Sequence, residues 1–150
     1  LNRRSQTGII IFLNRAPIYW YSKSQKTVES STFGSEFIAL KTAVEMIIAF
    51  RFKLRCFGVP IDGPTNVMCD NETVCINSRT PDSRLNKKHN AIAFHKSREA
   101  VAANAIRVGH ESSITNLLDI LTKQKSTIER ERIIFKFTLK QHPPQRGSML

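Results

Sequence analysis

Thr65-Asn66-Val67-Met68-Cys69-Asp70-Asn71-Glu72 is a short, largely apolar stretch that ends in a carboxylate and passes at once into a helix-like segment. It reads as a strand over Thr65 to Asp70, followed by a short helix or turn over Asn71 to Arg79. In an α/β sheet, substrate and metal sites collect at strand ends. Asp70 therefore stands on a rigid element, pointing out of the sheet. One such Asp is common, so its weight depends on what else reaches the same point.

Working outward, Asp62-Gly63-Pro64 is a turn, and Gly58 and Pro60 stop the segment before it. That segment has a helical period from Glu36, with Phe37, Leu40, Ala43, Val44, Ile47 and Leu54 on one face and Thr32 or Ser35 as the cap. Further upstream, Thr7 to Leu13 reads as a buried strand, Asn14 to Pro17 as a tight connection, and Ile18 to Ser22 as its hairpin partner. Downstream, Ser83 to Asn104 reads as a second long helix, Ala105 to Val108 as a short strand, and Thr115 to Lys123 as a final short helix. The order is that of a mixed α/β domain over residues 1–123. Residues 124–150 form a basic C-terminal tail, read as partly disordered around Gln141 to Gly147.

The chain has 150 residues, of which 41% are hydrophobic, and a net charge of +11. Its mean hydropathy of −0.26 suits a globular domain with a core of its own. No apolar run approaches the ~20 residues that span a bilayer, and Leu1 to Arg4 does not open a secretory signal. The expected setting is cytoplasmic or nuclear, not secreted, with no membrane partner. A first residue other than Met reads as a fragment or processed product. Cys56, Cys69 and Cys75 are odd in number and lack C-x-x-C pairing, which favours a reducing compartment and packing roles over a zinc site. A strongly basic surface has a polyanion as its natural partner.

Glu36 and Asp119 fall where they could join Asp70. Glu36 is read in the first turn of the long helix, and Asp119 lies among Leu117, Leu118, Ile120 and Leu121 in the last one. Converging carboxylates raise one another's pKa unless a divalent cation offsets the charge. Magnesium suits oxygen ligands, and a pair of ions about 3.5–4 Å apart can drive phosphodiester hydrolysis. The plainer readings are a helix-dipole contact for Glu36 and a solvated face for Asp119.

Motifs along the chain resemble, in order, those of the ribonuclease H domain of copia-type LTR retrotransposon polyproteins. They are Arg3-Arg4-Ser5 before Thr7-Gly8, Pro17-Ile18 with Trp20 and Ser22-Lys23, and Gln25 to Val28 leading to Ser35-Glu36-Phe37-Ile38-Ala39-Leu40. Then come Cys69-Asp70-Asn71-Glu72, Lys88-His89 with Phe94-His95 and Arg98-Glu99, and Leu118-Asp119-Ile120-Leu121-Thr122-Lys123. The resemblance implies a ribonuclease H-like fold, a mixed sheet flanked by helices. It implies Mg-dependent cleavage of RNA in RNA–DNA hybrids, with two ions (Mn as a substitute) held by Glu36, Asp70 and Asp119. It also implies an upstream reverse transcriptase domain in the same polyprotein. Many relatives carry an extra Glu three residues before the catalytic one; that place is Phe33 here, which leaves Glu36. The family's first strand and first catalytic Asp lie ahead of the Arg-Arg-Ser motif, where this chain has Leu1 and Asn2 alone. The expectation is thus a sheet without its first strand and impaired hydrolysis, with a non-catalytic nucleic-acid-binding remnant as the rival.

His110 precedes Asp119 in a loop-like stretch and is a candidate for proton transfer or product release, against a plain exposed loop residue. Asn71 is placed to contact a 2′-OH or phosphate. Lys23, Lys26, Lys87 and Lys88, with Arg51, Lys53 and Arg55, are candidates for tracking a hybrid backbone. Trp20 and Tyr19 read as core residues, and His95, beside Phe94, as a packed histidine.

Overall fold

The β-branched and aromatic runs near the N-terminus pair as an antiparallel hairpin, β1 (Gln6–Leu13) with β2 (Ala16–Ser24). Asn14 turns the chain at φ 56°, in the left-handed region that Asn tolerates. This is a computed structural model, which describes residues 4–14, 16–26, 31–83, 90–112, 116–123, 126–131 and 133–134, with the backbone alone at 119. Thr7 and Ile9 turn into the molecule and are buried. Gly8 and Ile10, cross-strand from Ser22 and Trp20, occupy the other face.

Helix α1 (Thr32–Cys56) starts earlier than its apolar period suggested. Its N-cap is Ser31, whose side chain accepts from the Gly34 N–H, so neither Thr32 nor Ser35 caps it. Phe37, Leu40, Ala43, Val44 and Ile47 are buried at helical spacing, but no residue beyond Ile47 is, Leu54 included. The last turns of α1 overhang the core. Gly58, at φ 73°, follows the C-cap residue Phe57 as the sequence predicts.

Strand β3 (Thr65–Cys69) pairs in parallel with β4 (Ile106–His110), with Cys69 opposite His110. The strand at the C-terminal side thus runs later than the expected Ala105 to Val108. Parallel strands need a crossover. It is built from α2 (Glu72–Arg79) and α3 (Ala91–Ala102). Helix α3 is shorter than the Ser83 to Asn104 expectation, with Asn90 and Ala103 as its cap residues and Ser83 irregular after a turn at 81–82; residues 84–89 lie outside the described ones. Helix α4 is a single turn, Asp119–Thr122, also shorter than expected. Past it, residues 127–131 are helical, and Ser126 and Glu129 form a reciprocal capping box that the sequence reading missed.

The core joins α1, β3, α2, α3 and β4 through Phe37, Val44, Val67, Val74, Phe94 and Val108 among others. The domain is therefore mixed α/β with two small sheets, ordered β1-β2 and β3-β4. Among the described residues no backbone ladder joins them; α1 packs against both halves. No helix among these residues is long and apolar enough to cross a membrane.

Candidate functional site

The cap at Ser31 fixes where Glu36 falls. With helix position one at Thr32, Glu36 sits in the second turn and the first turn holds no acid. The helix-dipole explanation for this residue therefore loses its footing, since that effect fades within one turn. Asp70 follows the last residue of β3 and is exposed. Potential ligand atoms of Glu36, Cys69 and Asp70 all lie within 4.8 Å of one another. The Cys69 Sγ is 4.0 Å from Glu36 Oε2.

Burial pushes the Glu36 carboxyl above the ordinary carboxylate range, and the neighbouring charge of Asp70 pushes it the same way. A hydrogen bond from the Asn71 side chain works in the opposite direction. Burial also drives the Cys69 thiol up to about 12, so it stays protonated at neutral pH. Neither Glu36 nor Asp70 joins an ion pair with Lys or Arg among the described residues. The site is an acidic cluster without a protein counter-charge among the described residues.

Asn71 does double work at its edge. Its Oδ1 accepts from the Val74 N–H at 3.2 Å and caps α2. The same side chain reaches Glu36. His110 ends β4, exposed, with Nε2 3.3 Å from the Asp70 carbonyl oxygen. The ladder continues past it, where the Glu111 N–H donates to the Cys69 carbonyl at 2.9 Å. His110 thus stands on a strand at the rim of the acids, where the sequence suggested a loop.

Gln25 is the positioning residue that sequence reading passed over. Its side chain is buried, and Nε2 donates to Thr7 Oγ1 at 3.0 Å and to the Ser35 carbonyl at 2.7 Å. Its backbone N–H donates to the Ser5 carbonyl at 2.8 Å. One amide thereby pins the hairpin to the turn of α1 that presents Glu36. The available signal was its place at the head of the Gln25 to Val28 motif, which assigned the residue no role.

Other expected residues separate from this cluster or lie outside the description. Asp119 opens α4, but its side chain is outside the described residues. The helix itself rests on the hairpin, with Ser22 Oγ donating to the Leu121 carbonyl at 2.7 Å. A Cβ on Gly8 would come within 2.6 Å of Thr122 Cγ2 and 3.2 Å of Leu121 Cβ, so glycine permits this contact. Lys23 and Lys26 are exposed, while Lys87, Lys88 and His89 are outside the described residues. Trp20 is 68% exposed, which overturns its reading as core. A two-stranded hairpin has one face on α1 and leaves part of the other open. Tyr19, on the α1 side, packs on Phe50 with ring centroids 5.7 Å apart. Cys56 is exposed and not a packing residue, unlike buried Cys75. His95 is exposed but sets its ring edge-on to Phe94 at 5.3 Å.

Over 146 residues the chain is 30% identical to the retrovirus-related Pol polyprotein from transposon RE2 of Arabidopsis thaliana, a match covering 97% of the chain. Its homologues are retrotransposon Pol polyproteins. The RE1 polyprotein of the same plant is 30% identical over 140 residues, and that of transposon TNT 1-94 of Nicotiana tabacum is 34% identical over 123. The chain spans about a tenth of the length of these Pol relatives, 10% for both RE2 and RE1. No family model matches the chain, and no solved structure does.

Proposed function

We propose that this chain is the ribonuclease H-like domain of a copia-type retroelement polyprotein, with ancestral Mg-dependent cleavage of the RNA strand in RNA–DNA hybrids. The observation that carries the reading is the meeting of Glu36 and Asp70, from a helix and a strand end, at metal-ligand spacing. The likeness to Pol polyproteins over most of the chain supports it.

The donor set fits a hard cation. Two carboxylates without a counter-charge among the described residues supply oxygens, and Cys69, held as a thiol, is a poor competitor for the metal. Glu36 and Asp70 would hold Mg²⁺ or Mn²⁺, with Asp119 as the third carboxylate. The metal, when bound, supplies a lowered water pKa and stabilises charge on phosphate oxygens. Asn71 orients Glu36 by donating to its carboxylate. His110 at the rim is placed to exchange a proton with a departing oxygen. Lys23 and Lys26, with Lys87 and Lys88, neutralise phosphates of the hybrid. In this reading the domain works beside a reverse transcriptase of the same polyprotein, in a cytoplasmic particle or the nucleus.

A second reading, a nucleic-acid-binding remnant without cleavage, draws on one observation. Among the described residues the cluster holds only two carboxylates. Incubation of a labelled RNA–DNA hybrid with Mg²⁺ separates the two. RNA cleavage lost in Asp70→Asn establishes catalysis. Salt-sensitive hybrid binding without cleavage in the unaltered chain establishes the remnant.

A further inference from the structure

The end of α1 that overhangs the core has an unusual composition. Phe50-Arg51-Phe52-Lys53-Leu54-Arg55-Cys56-Phe57 interleaves aromatic rings with cations, and residues 46–61 contain no acid. Phe52 is 67% exposed and Phe57 81%, the largest exposure among the described large hydrophobic residues. Two of the neighbouring groups are already committed. Phe50 packs on Tyr19, and Arg51 donates to the Gly63 carbonyl and to Thr65 Oγ1, both at 3.0 Å. Phe52, Lys53, Arg55 and Phe57 remain on the surface, with the Lys53 ammonium 5.9 Å from the centroid of the Phe50 ring.

Burying two phenyl rings normally stabilises a fold by ~1.5–3 kcal/mol each, so leaving both in water is a forgone gain. A purely apolar overhang would suit a protein partner. An overhang whose rings alternate with cations, in a chain of net charge +11, suits a polyanion with flat apolar faces. We propose that this end of α1 binds single-stranded nucleic acid, with bases stacked on Phe52 and Phe57 and the phosphates neutralised by Lys53 and Arg55. Stacking on exposed rings with flanking cations is the general physics of sequence-tolerant strand binding. The rings stand about 7.5 Å apart along the helix axis and point to different sides of it, so each takes its own base. Glu36 is about 24 Å away along the same helix, so this surface is separate from the acidic cluster. It would take a strand extending past a duplex held there.

The test uses the whole 150-residue chain with fluorescent oligo-dT, followed by anisotropy over a salt series. The expected result is salt-sensitive binding that weakens at least about tenfold in Phe52→Ala/Phe57→Ala, from the loss of stacking. Lys53→Ala/Arg55→Ala should flatten the log–log salt slope by about 1.4, or ~0.7 per phosphate on a single strand. Ile92→Ala, which removes an equally exposed apolar side chain on α3, should leave both unchanged, which ties the effect to this surface. All four side chains are exposed, so the variants should keep the parental melting temperature. Unchanged affinity in the Phe variant, or an unchanged slope in the basic variant, overturns the proposal. So does a self-association in sedimentation that the Phe substitutions abolish, which would make this face a protein interface.

Discussion

The Cys69 thiol and the Glu36 carboxylate stand 4.0 Å apart, a strand-end sulfur facing a helix carboxylate from a segment 33 residues away. Asp70 extends the same strand end, so three ionisable groups form one cluster in which burial disfavours charge on the two inner ones. This arrangement costs folding energy at neutral pH, a cost that a bound cation would offset.

Glu36→Gln tests that cost. The folded-state pKa of Glu36 is raised, so the native state binds more protons than the unfolded one just above the ordinary carboxylate pKa. Stability from this group is therefore fully present below about pH 4.3 and falls as pH rises through the folded value. The variant should melt at a higher temperature than the parent at pH 7, with the gap closing toward pH 4. Thermal melts across that range check it; a variant that melts lower at pH 7 contradicts the argument.

Magnesium should raise the melting temperature of the parent chain and leave Asp70→Asn and Glu36→Gln nearly unmoved, since a ligand stabilises only the state that binds it. Differential scanning calorimetry with and without Mg²⁺ reads this directly. In Asp70→Asn the Glu36 carboxyl should also titrate lower, because one charge that raises it is gone.

Gln25→Ala should loosen the presentation of Glu36. The substitution removes both donations and leaves the buried Thr7 hydroxyl without this partner, a cost of about 1–3 kcal/mol for a buried polar group left unmade. Denaturant midpoints measure the stability loss. Hybrid cleavage should fall further than stability alone explains, with Gln25→Glu failing to restore it because the donor is missing.

Gly8→Ala should press α4 off the hairpin. The new methyl meets the stiff β-branched Thr122 and the Cβ of Leu121, neither of which is the far end of a flexible side chain. A destabilisation of about 1–3 kcal/mol is expected. Faster amide exchange in 119–122 than in β3 would locate the effect.

Thiol reactivity offers a check that involves no activity. With a water-soluble disulfide reagent at pH 7, Cys56 should react first because it is exposed. Cys69 should lag by orders of magnitude, since a thiol held at about 12 has almost no thiolate. Labelling followed by peptide mass analysis assigns the order.

The hairpin and β3 were legible because their β-branched and aromatic runs are bounded by turn residues. Asp70 was legible from its place at the end of β3, whereas Glu36 was singled out on α1 but in the first turn, where the structure has it in the second. The start of α1 was not, because Ser31, Thr32 and Ser35 are all good caps and only the backbone decides among them. Trp20 was misplaced for a different reason. Strand alternation says that two faces exist, while which face is covered depends on α1 and α4, elements distant in sequence. The separation of the strands into two ladders is a property of tertiary placement and left no mark in local pattern.

That separation has a mechanical consequence. Among the described residues the hairpin and the β3–β4 pair share no hydrogen-bond ladder, so α1 acts as a splint between them, held by side-chain packing and by single hydrogen bonds from Gln25 to Ser35 and from Arg51 to Thr65. Loss of packing along one face of that splint would let each half open on its own. Cooperativity in this domain thus rests on a single helix, and a cavity cut at Val44 would show first as two melting steps where there had been one.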